Sequence, residues 1–201
     1  MENKQRLLNA QTIAKVAILG ALAFIVMLFE FPIPFIAPSF YKLDLSEVIV
    51  LIGGFALGPI AAIIIEALKN ILNIIFTGSS TAYVGEVANF IVGCCFVVPA
   101  SVIYLKNKTR NSAILGMAVG TICLVIAGAL MNTFVLIPLY SKLFNLPIEV
   151  ILGMGQAIFP SIKSVFSFVL YCVCPFNLIK GVIVSLITFF LYKRVSPLLH
   201  K

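Results

Sequence analysis

The chain has 201 residues, 62% of them hydrophobic and only 10% charged, with a formal net charge of +7 and a mean hydropathy of +1.16. Soluble domains are about 45–50% apolar and about 25% charged, so this chain has too few polar side chains to cover a water-facing surface, which excludes a soluble enzyme. A bilayer removes that requirement: a spanning helix takes roughly 20 apolar residues, and the Lys and Arg side chains, concentrated in loops and tails, read as membrane orientation rather than as a nucleic-acid surface.

Residues 1–15 are polar and basic. No small-residue cleavage site with a polar mature domain follows the first apolar run, so the first span is expected to be retained. That span, 13–30, ends at Phe31-Pro32-Ile33-Pro34, where proline removes backbone donors and disfavours helix in the preceding residue. Along it Ala10, Ala14, Ala17 and Ala21 recur at steps of four, three and four, with Gly20 adjoining. A face of small residues lets another helix approach closely, whether a helix of this chain or one of a partner.

After a loop to residue 43, Asp44-Leu45-Ser46-Glu47 reads as a capping box with Asp44 as N-cap. The helix it opens, 44–57, stops at Gly58-Pro59 and is shorter than the hydrocarbon layer. Helix three covers 60–76, Thr77-Gly78-Ser79-Ser80-Thr81 is a turn, and helix four covers 82–105. A basic loop, Lys106 to Arg110, precedes helix five at 112–139, which is long for one span and is expected to tilt or project. Residues 140–161 form the longest loop, with room for a short helix, and helix six covers 165–192 with a break expected at Pro175. The expected fold is therefore all-α: one membrane domain, 1–201, of six transmembrane helices without internal repeat.

Three basic clusters set the orientation: Lys4, Arg6 and Lys15; Lys106, Lys108 and Arg110; Lys193, Arg194 and Lys201. The positive-inside rule places all three in the cytoplasm, which requires an even number of crossings between them. Four helices before Lys106 and two after Arg110 meet that condition, with both termini cytoplasmic. The loops 31–43, 77–81 and 140–161 then face outward.

Polar residues inside spans are costly and mark function or packing pairs. Glu66, Lys69, Asn70 and Asn73 share one face of helix three; Glu86 and Asn89 open helix four; Asn132 lies near the outer end of helix five; Asn177 and Lys180 lie in the outer half of helix six; Asp44 and Glu47 begin helix two. They gather above an inner half of Ile, Leu, Val and Ala, which predicts a pocket opening outward and closed below rather than a channel. Glu66 and Lys69 are also spaced for an intrahelical ion pair, and Glu86 for the headgroup level. Asn132, Asn177 and Lys180, on two separate helices near Pro138 and Pro175, read as ligand-binding. Amides that donate and accept, with one lysine, suit a neutral, heteroatom-rich molecule with an imide-like edge or hydroxyls. Phe35, Phe40 and Tyr41 are placed to cover an aromatic ring, or to form an interfacial belt. The two longer outer loops are candidate lids.

Cys94, Cys95, Cys123, Cys172 and Cys174 contain no C-x-x-C pair, and His200 is the one histidine, so no metal site is expected and the cysteines read as buried apolar residues. No phosphate-binding loop and no H-E-x-x-H or G-x-S-x-G motif occurs. ATP-driven uptake would need its engine in another subunit, and no catalytic residue is assigned.

Several stretches resemble the substrate-binding S components of energy-coupling factor (ECF) transporters, and among them the riboflavin-specific ones. They are Tyr41-Lys42-Leu43-Asp44-Leu45-Ser46-Glu47, Gly54-Phe55-Ala56-Leu57-Gly58-Pro59, Lys69-Asn70, Gly85-Glu86-Val87-Ala88-Asn89-Phe90, Met131-Asn132 through Ile137-Pro138-Leu139-Tyr140, and Pro175-Phe176-Asn177-Leu178-Ile179-Lys180-Gly181. The resemblance implies six helices and a vitamin site beneath the first loop, with Asn132, Asn177 and Lys180 binding the flavin and Leu43, Asp44, Asn89 and Tyr41 assisting. Riboflavin enters as transported ligand, not as cofactor. It further implies that the alanine face, Ala14, Ala17 and Ala21, docks a transmembrane coupling subunit powered by two ATPase subunits in a prokaryotic plasma membrane. An S component for another small vitamin or precursor, and a membrane-embedded enzyme with Glu86 and Asp44 as acid and base, are the competing readings. A phosphate on the ligand would want a partner such as Lys42 or Lys163. No family motif marks 144–174.

Overall fold

The computed structural model describes residues 9–79 and 81–199, with side chains as far as Tyr192. Lys4, Arg6, Ser80, His200 and Lys201, and the side chains of Lys193 and Arg194, lie outside the described parts, so the first basic cluster is described only at Lys15 and the third only along the backbone of 193 and 194.

Among the described residues seven helices form: α1 (Ala10–Met27), α2 (Ser46–Leu57), α3 (Pro59–Thr77), α4 (Val84–Asn107), α5 (Arg110–Leu143), α6 (Ile148–Gln156) and α7. The last begins as Val165–Phe168, passes through a π turn at Val169–Val173 and continues as Cys174–Leu199. Five of them, α1, α3, α4, α5 and α7, are long and apolar enough to cross a membrane, and the 12-residue α2 is shorter. The short helix expected between 140 and 161 is α6.

Local chemistry sets the ends. Asn9 caps α1, Thr109 caps α5 through the Ser112 amide at 3.2 Å, and Ser164 with Ser167 forms a capping box at the start of α7. Gly58 joins α2 to α3 at φ +105°, a conformation that favours glycine, and Pro59 takes the first turn of α3, where a missing N–H costs nothing. Ala82 and Tyr83 hold left-handed conformations, so α4 starts at Val84 rather than at 82.

Three expectations are corrected. Asp44-Leu45-Ser46-Glu47 is not a capping box: α2 begins at Ser46, its N-cap Leu45 supplies no side-chain bond, and Asp44 instead accepts from the Ser46 amide at 2.9 Å and from the Ser46 hydroxyl. Glu47 turns to buried ammonium groups, which bind a buried carboxylate more strongly than a backbone amide does. The first loop is not purely irregular, since Phe31–Pro32 pairs antiparallel with Lys42–Leu43, and an ion pair of 2.5 Å from Lys42 to Glu30 fastens this ladder. Finally, α7 does not break at Pro175. A proline removes one helical hydrogen bond and crowds the carbonyl four residues back; the helix answers by widening into a π turn just before Pro175, as α5 does at Asn132–Leu136 before Pro138.

The main apolar core joins α1 to α5 and α7. At the ends where α2, α4 and α7 run out, Phe55 stacks on Tyr104 at 4.5 Å and Tyr192 meets both rings edge-on, closing that end of the bundle. A second core packs Ile33, Ala37 and Leu43 of the first loop on α6 and the start of α7. Helices α4 and α5 press closest, where Gly116 and Gly120 lie against the backbone oxygens of Ala100 and Phe96.

Candidate substrate site

The last turns of α1 and α3, the first turns of α2 and α4, and the π-turn regions of α5 and α7 all meet at one end of the bundle. Between them lies a cavity of about 580 Å³, within the usual range of about 300–1,000 Å³ for small-molecule sites. Asn89, Asn132, Asn177, Lys180 and Tyr41 line it, with Phe40 and Phe176 as aromatic wall. The convergence expected of Asn132, Asn177 and Lys180 is thus present.

The π turns aim the two asparagines. Asn132 opens the first, and Asn177 follows the second by one helical turn. Asn132 Nδ2 donates to the Gly128 carbonyl at 2.8 Å, while its Oδ1 accepts from the Tyr41 hydroxyl. Asn177 Nδ2 donates to the Val173 carbonyl at 3.0 Å. Gly128 admits Asn177: a Cβ on Gly128 would stand 2.5 Å from Asn177 Nδ2. Both amides are therefore held in fixed orientation, which lowers the entropy a ligand must remove.

Lys180 Nζ lies 2.9 Å from Asp44 Oδ2 and 3.0 Å from Glu47 Oε1, all buried. Burial by itself would raise the Asp44 carboxyl; the Lys180 and Lys69 ammonium groups and the Ser46 hydroxyl overturn that and hold it well below the usual carboxylate range. Behind Glu47, Lys69 Nζ lies 2.7 Å from Glu66 Oε1, the contact that the Glu66–Lys69 spacing predicts, and reaches across helices to Glu47 at 3.3 Å.

Other expected residues stand elsewhere. Leu43 and Asp44 back the wall without being part of it: Leu43 sits in the second core, and Asp44 positions Lys180. Glu86 does line the cavity, and it is buried there, accepting from the Ser79 and Thr81 hydroxyls at 2.9 Å each, which also ties the α3–α4 turn. Among the described residues the first loop covers the cavity with Phe40, Tyr41 and Lys42, whereas the 144–164 region packs on α7 and contributes none of its walls. Phe35 and Lys163 are exposed away from it. Tyr41 is held among Phe40, Phe168 and Phe176, and burial pushes its phenol well above its ordinary value, so it acts as a neutral donor. Glu47, read from sequence as a helix-start residue among the polar groups gathered in the outer half, is a wall residue and the second partner of Lys180. Its full burial depends on a lysine 133 residues away in sequence, which no local spacing reveals.

Ala10, Ala14, Ala17 and Ala21 are exposed on α1, while Gly20 faces inward against Leu68 and so does not belong to that face.

Known proteins share this sequence pattern and fold. The family profile described as "ECF transporter, substrate-specific component" covers residues 11–192. The sequence is 35% identical to the riboflavin transporter RibU of Staphylococcus aureus (strain TCH60) over 99% of both chains. It is 32% identical to the riboflavin transporter RibU of Streptococcus thermophilus (strain ATCC BAA-250 / LMG 18311), covering 96% of this chain and 86% of that one. The riboflavin transporter FmnP of Bacillus subtilis (strain 168) is 28% identical over 94% of each. A solved structure described as the S component of a bacterial ECF transporter superposes with a TM-score of 0.72 at 34% identity, covering 94% of this chain and 97% of that one. With the family profile spanning nearly the whole bundle and the fold shared, the chain belongs to the substrate-specific components of ECF transporters.

Proposed function

We propose that this chain binds riboflavin in the cavity at the α1–α2 loop end and serves as the substrate-specific subunit for its uptake. It is a transport subunit, not an enzyme. The observation that carries the reading is the cavity's wall: fixed amides of Asn132 and Asn177 beside aromatic rings of Phe40, Tyr41 and Phe176. A planar heteroaromatic ring with an imide edge and a polyhydroxyl chain presents alternating donors and acceptors that such amides match, and its faces suit aromatic contact. Lys180, oriented by Asp44 and Glu47, keeps donors for a carbonyl or hydroxyl.

Topology completes the proposal. Taking α2 as a sixth, shortened span puts both termini in the cytoplasm under the positive-inside rule, and the cavity then opens to the outside of the plasma membrane. The exposed alanine face of α1 is assigned to a transmembrane coupling subunit, with two ATPase subunits supplying the energy this chain has no motif to supply.

Titration of the purified protein with riboflavin, followed by quenching of flavin fluorescence, tests the reading. Saturable one-to-one quenching and a yellow preparation are expected; absence of both would overturn it. A phosphorylated flavin should bind more weakly. The two cations on the wall, Lys42 and Lys180, are already paired with Glu30, Asp44 and Glu47, so a phosphate meets no uncommitted positive charge among the described residues. Equal affinity for FMN in the same titration would show that one of these pairs opens for the ligand.

A further inference from the structure

The Lys180 pair is the cavity-side end of a longer buried chain of charge. Behind it, Glu47 Oε1 lies 3.3 Å from Lys69 Nζ, and Lys69 Nζ lies 2.7 Å from Glu66 Oε1. All five side chains, Asp44, Glu47, Glu66, Lys69 and Lys180, are buried. Three carboxylates against two ammonium groups would leave one negative charge over if every group were ionised. An uncompensated ion in a dry interior costs more than neutralising it, so one carboxyl keeps a proton.

Hydrogen bonding identifies which. Asp44 accepts from the Ser46 amide, the Ser46 hydroxyl and Lys180. Glu47 accepts from both lysines. Glu66 shares Lys69 and takes Asn70 Nδ2, at 3.2 Å, on the same oxygen, Oε1; its other oxygen, Oε2, is buried without a partner. The other orphaned side-chain atoms on α3 and α4 are Asn70 Oδ1 and Asn89 Oδ1, both acceptors. This part of the α3–α4 interface therefore lacks a donor, and a proton on Glu66 supplies one. Gly93 of α4 leaves the room for the carboxyl, since a Cβ there would stand 2.5 Å from Glu66 Oε1.

We propose that Glu66 holds a proton at neutral pH, which leaves the carboxylates of Asp44 and Glu47 balanced by the ammonium groups of Lys180 and Lys69 behind the cavity. The groups that face Glu66 are Lys69 on its own helix, Glu47 from α2, Cys94 from α4 and Lys180 from α7.

Difference infrared spectroscopy of the ligand-free protein at neutral pH tests the proton directly. A carbonyl stretch of a protonated buried carboxyl is expected, and it should vanish in Glu66→Gln. Glutamine is the isostere of a neutral glutamic acid, so this variant should fold and keep its Tm in detergent, whereas Asp44→Asn, which removes an ionised member, should lower it. Absence of the band, its persistence in Glu66→Gln, or loss of folding in Glu66→Gln comparable to that in Asp44→Asn would each overturn the proposal, whatever the outcome of the riboflavin titration.

Discussion

Asn132 and Asn177 each give an amide hydrogen to a backbone carbonyl four residues earlier, which fixes the plane of each amide before any ligand arrives. Replacing either by Ala removes a positioned hydrogen-bonding group from a dry wall, a loss of about 1–3 kcal/mol, which is about 5- to 150-fold in riboflavin affinity. Fluorescence titration at unchanged Tm measures it; an unchanged affinity would remove that residue from the site. Tyr41→Phe should weaken binding less, because it frees Asn132 Oδ1 while keeping the ring between Phe40 and Phe176. At Asp44 the effect is on stability. Its folded carboxyl is held below the ordinary range, so its contribution is fully present above about pH 4 and is lost only as pH falls through the lowered folded value. Asp44→Asn leaves Lys180 with Glu47 alone, and breaking such a buried pair costs about 3–5 kcal/mol. Thermal unfolding of the variant at neutral pH, and of the wild type across the acid range, checks both statements.

At the scale of elements, glycines and prolines carry most of the geometry. Gly116 and Gly120, one turn apart on α5, let that helix ride on the α4 backbone, and a Cβ would come within 2.6 Å of Ala100 O at the first and 2.5 Å of Phe96 O at the second. Backbone cannot step aside as a side chain does. Gly120→Ala should therefore lower stability by about 1–3 kcal/mol through overpacking, read as a fall in Tm, while Gly153→Ala, on α6 with nothing near its Cβ position, should not. The same residues explain what the sequence makes legible. Gly58-Pro59 ends one helix and starts the next because both residues act on their own backbone, and the polar face of α3 shows in a spacing of three and four. Pairings between distant segments do not show in this way. Asp44 and Glu47 carry the spacing of a capping box, yet Lys180 and Lys69 take them elsewhere. Likewise, Pro138 and Pro175 announce a disturbed helix, but not that it widens into a π turn and continues, since that outcome depends on the neighbours packed around it. The Phe31–Leu43 ladder escapes an all-α reading because two residues per strand leave no alternation to detect.

For the whole molecule, the distribution of small side chains separates the face that holds the bundle together from the face left over. On α1, Val16, Leu19, Gly20 and Ala23 are buried against this chain's own helices, and Gly20 closes on Leu68. Ala10, Ala14, Ala17 and Ala21 point the other way and are exposed, so their size answers no packing need within the chain. In lipid there is no hydrophobic force between helices, and a smooth small-residue face is what allows a second helix close enough for dense contact. If that helix belongs to the coupling subunit, bulk added there acts on assembly and not on capture of the ligand, because the alanine face lies outside the walls of the cavity. Ala17→Leu with Ala21→Leu should therefore retain the riboflavin affinity and Tm of the wild type while co-purification with the coupling and ATPase subunits, and ATP-dependent uptake in reconstituted vesicles, fall at least tenfold. Loss of riboflavin binding in step with assembly would instead place α1 in the support of the cavity, and full uptake by the double variant would move the docking surface to another helix.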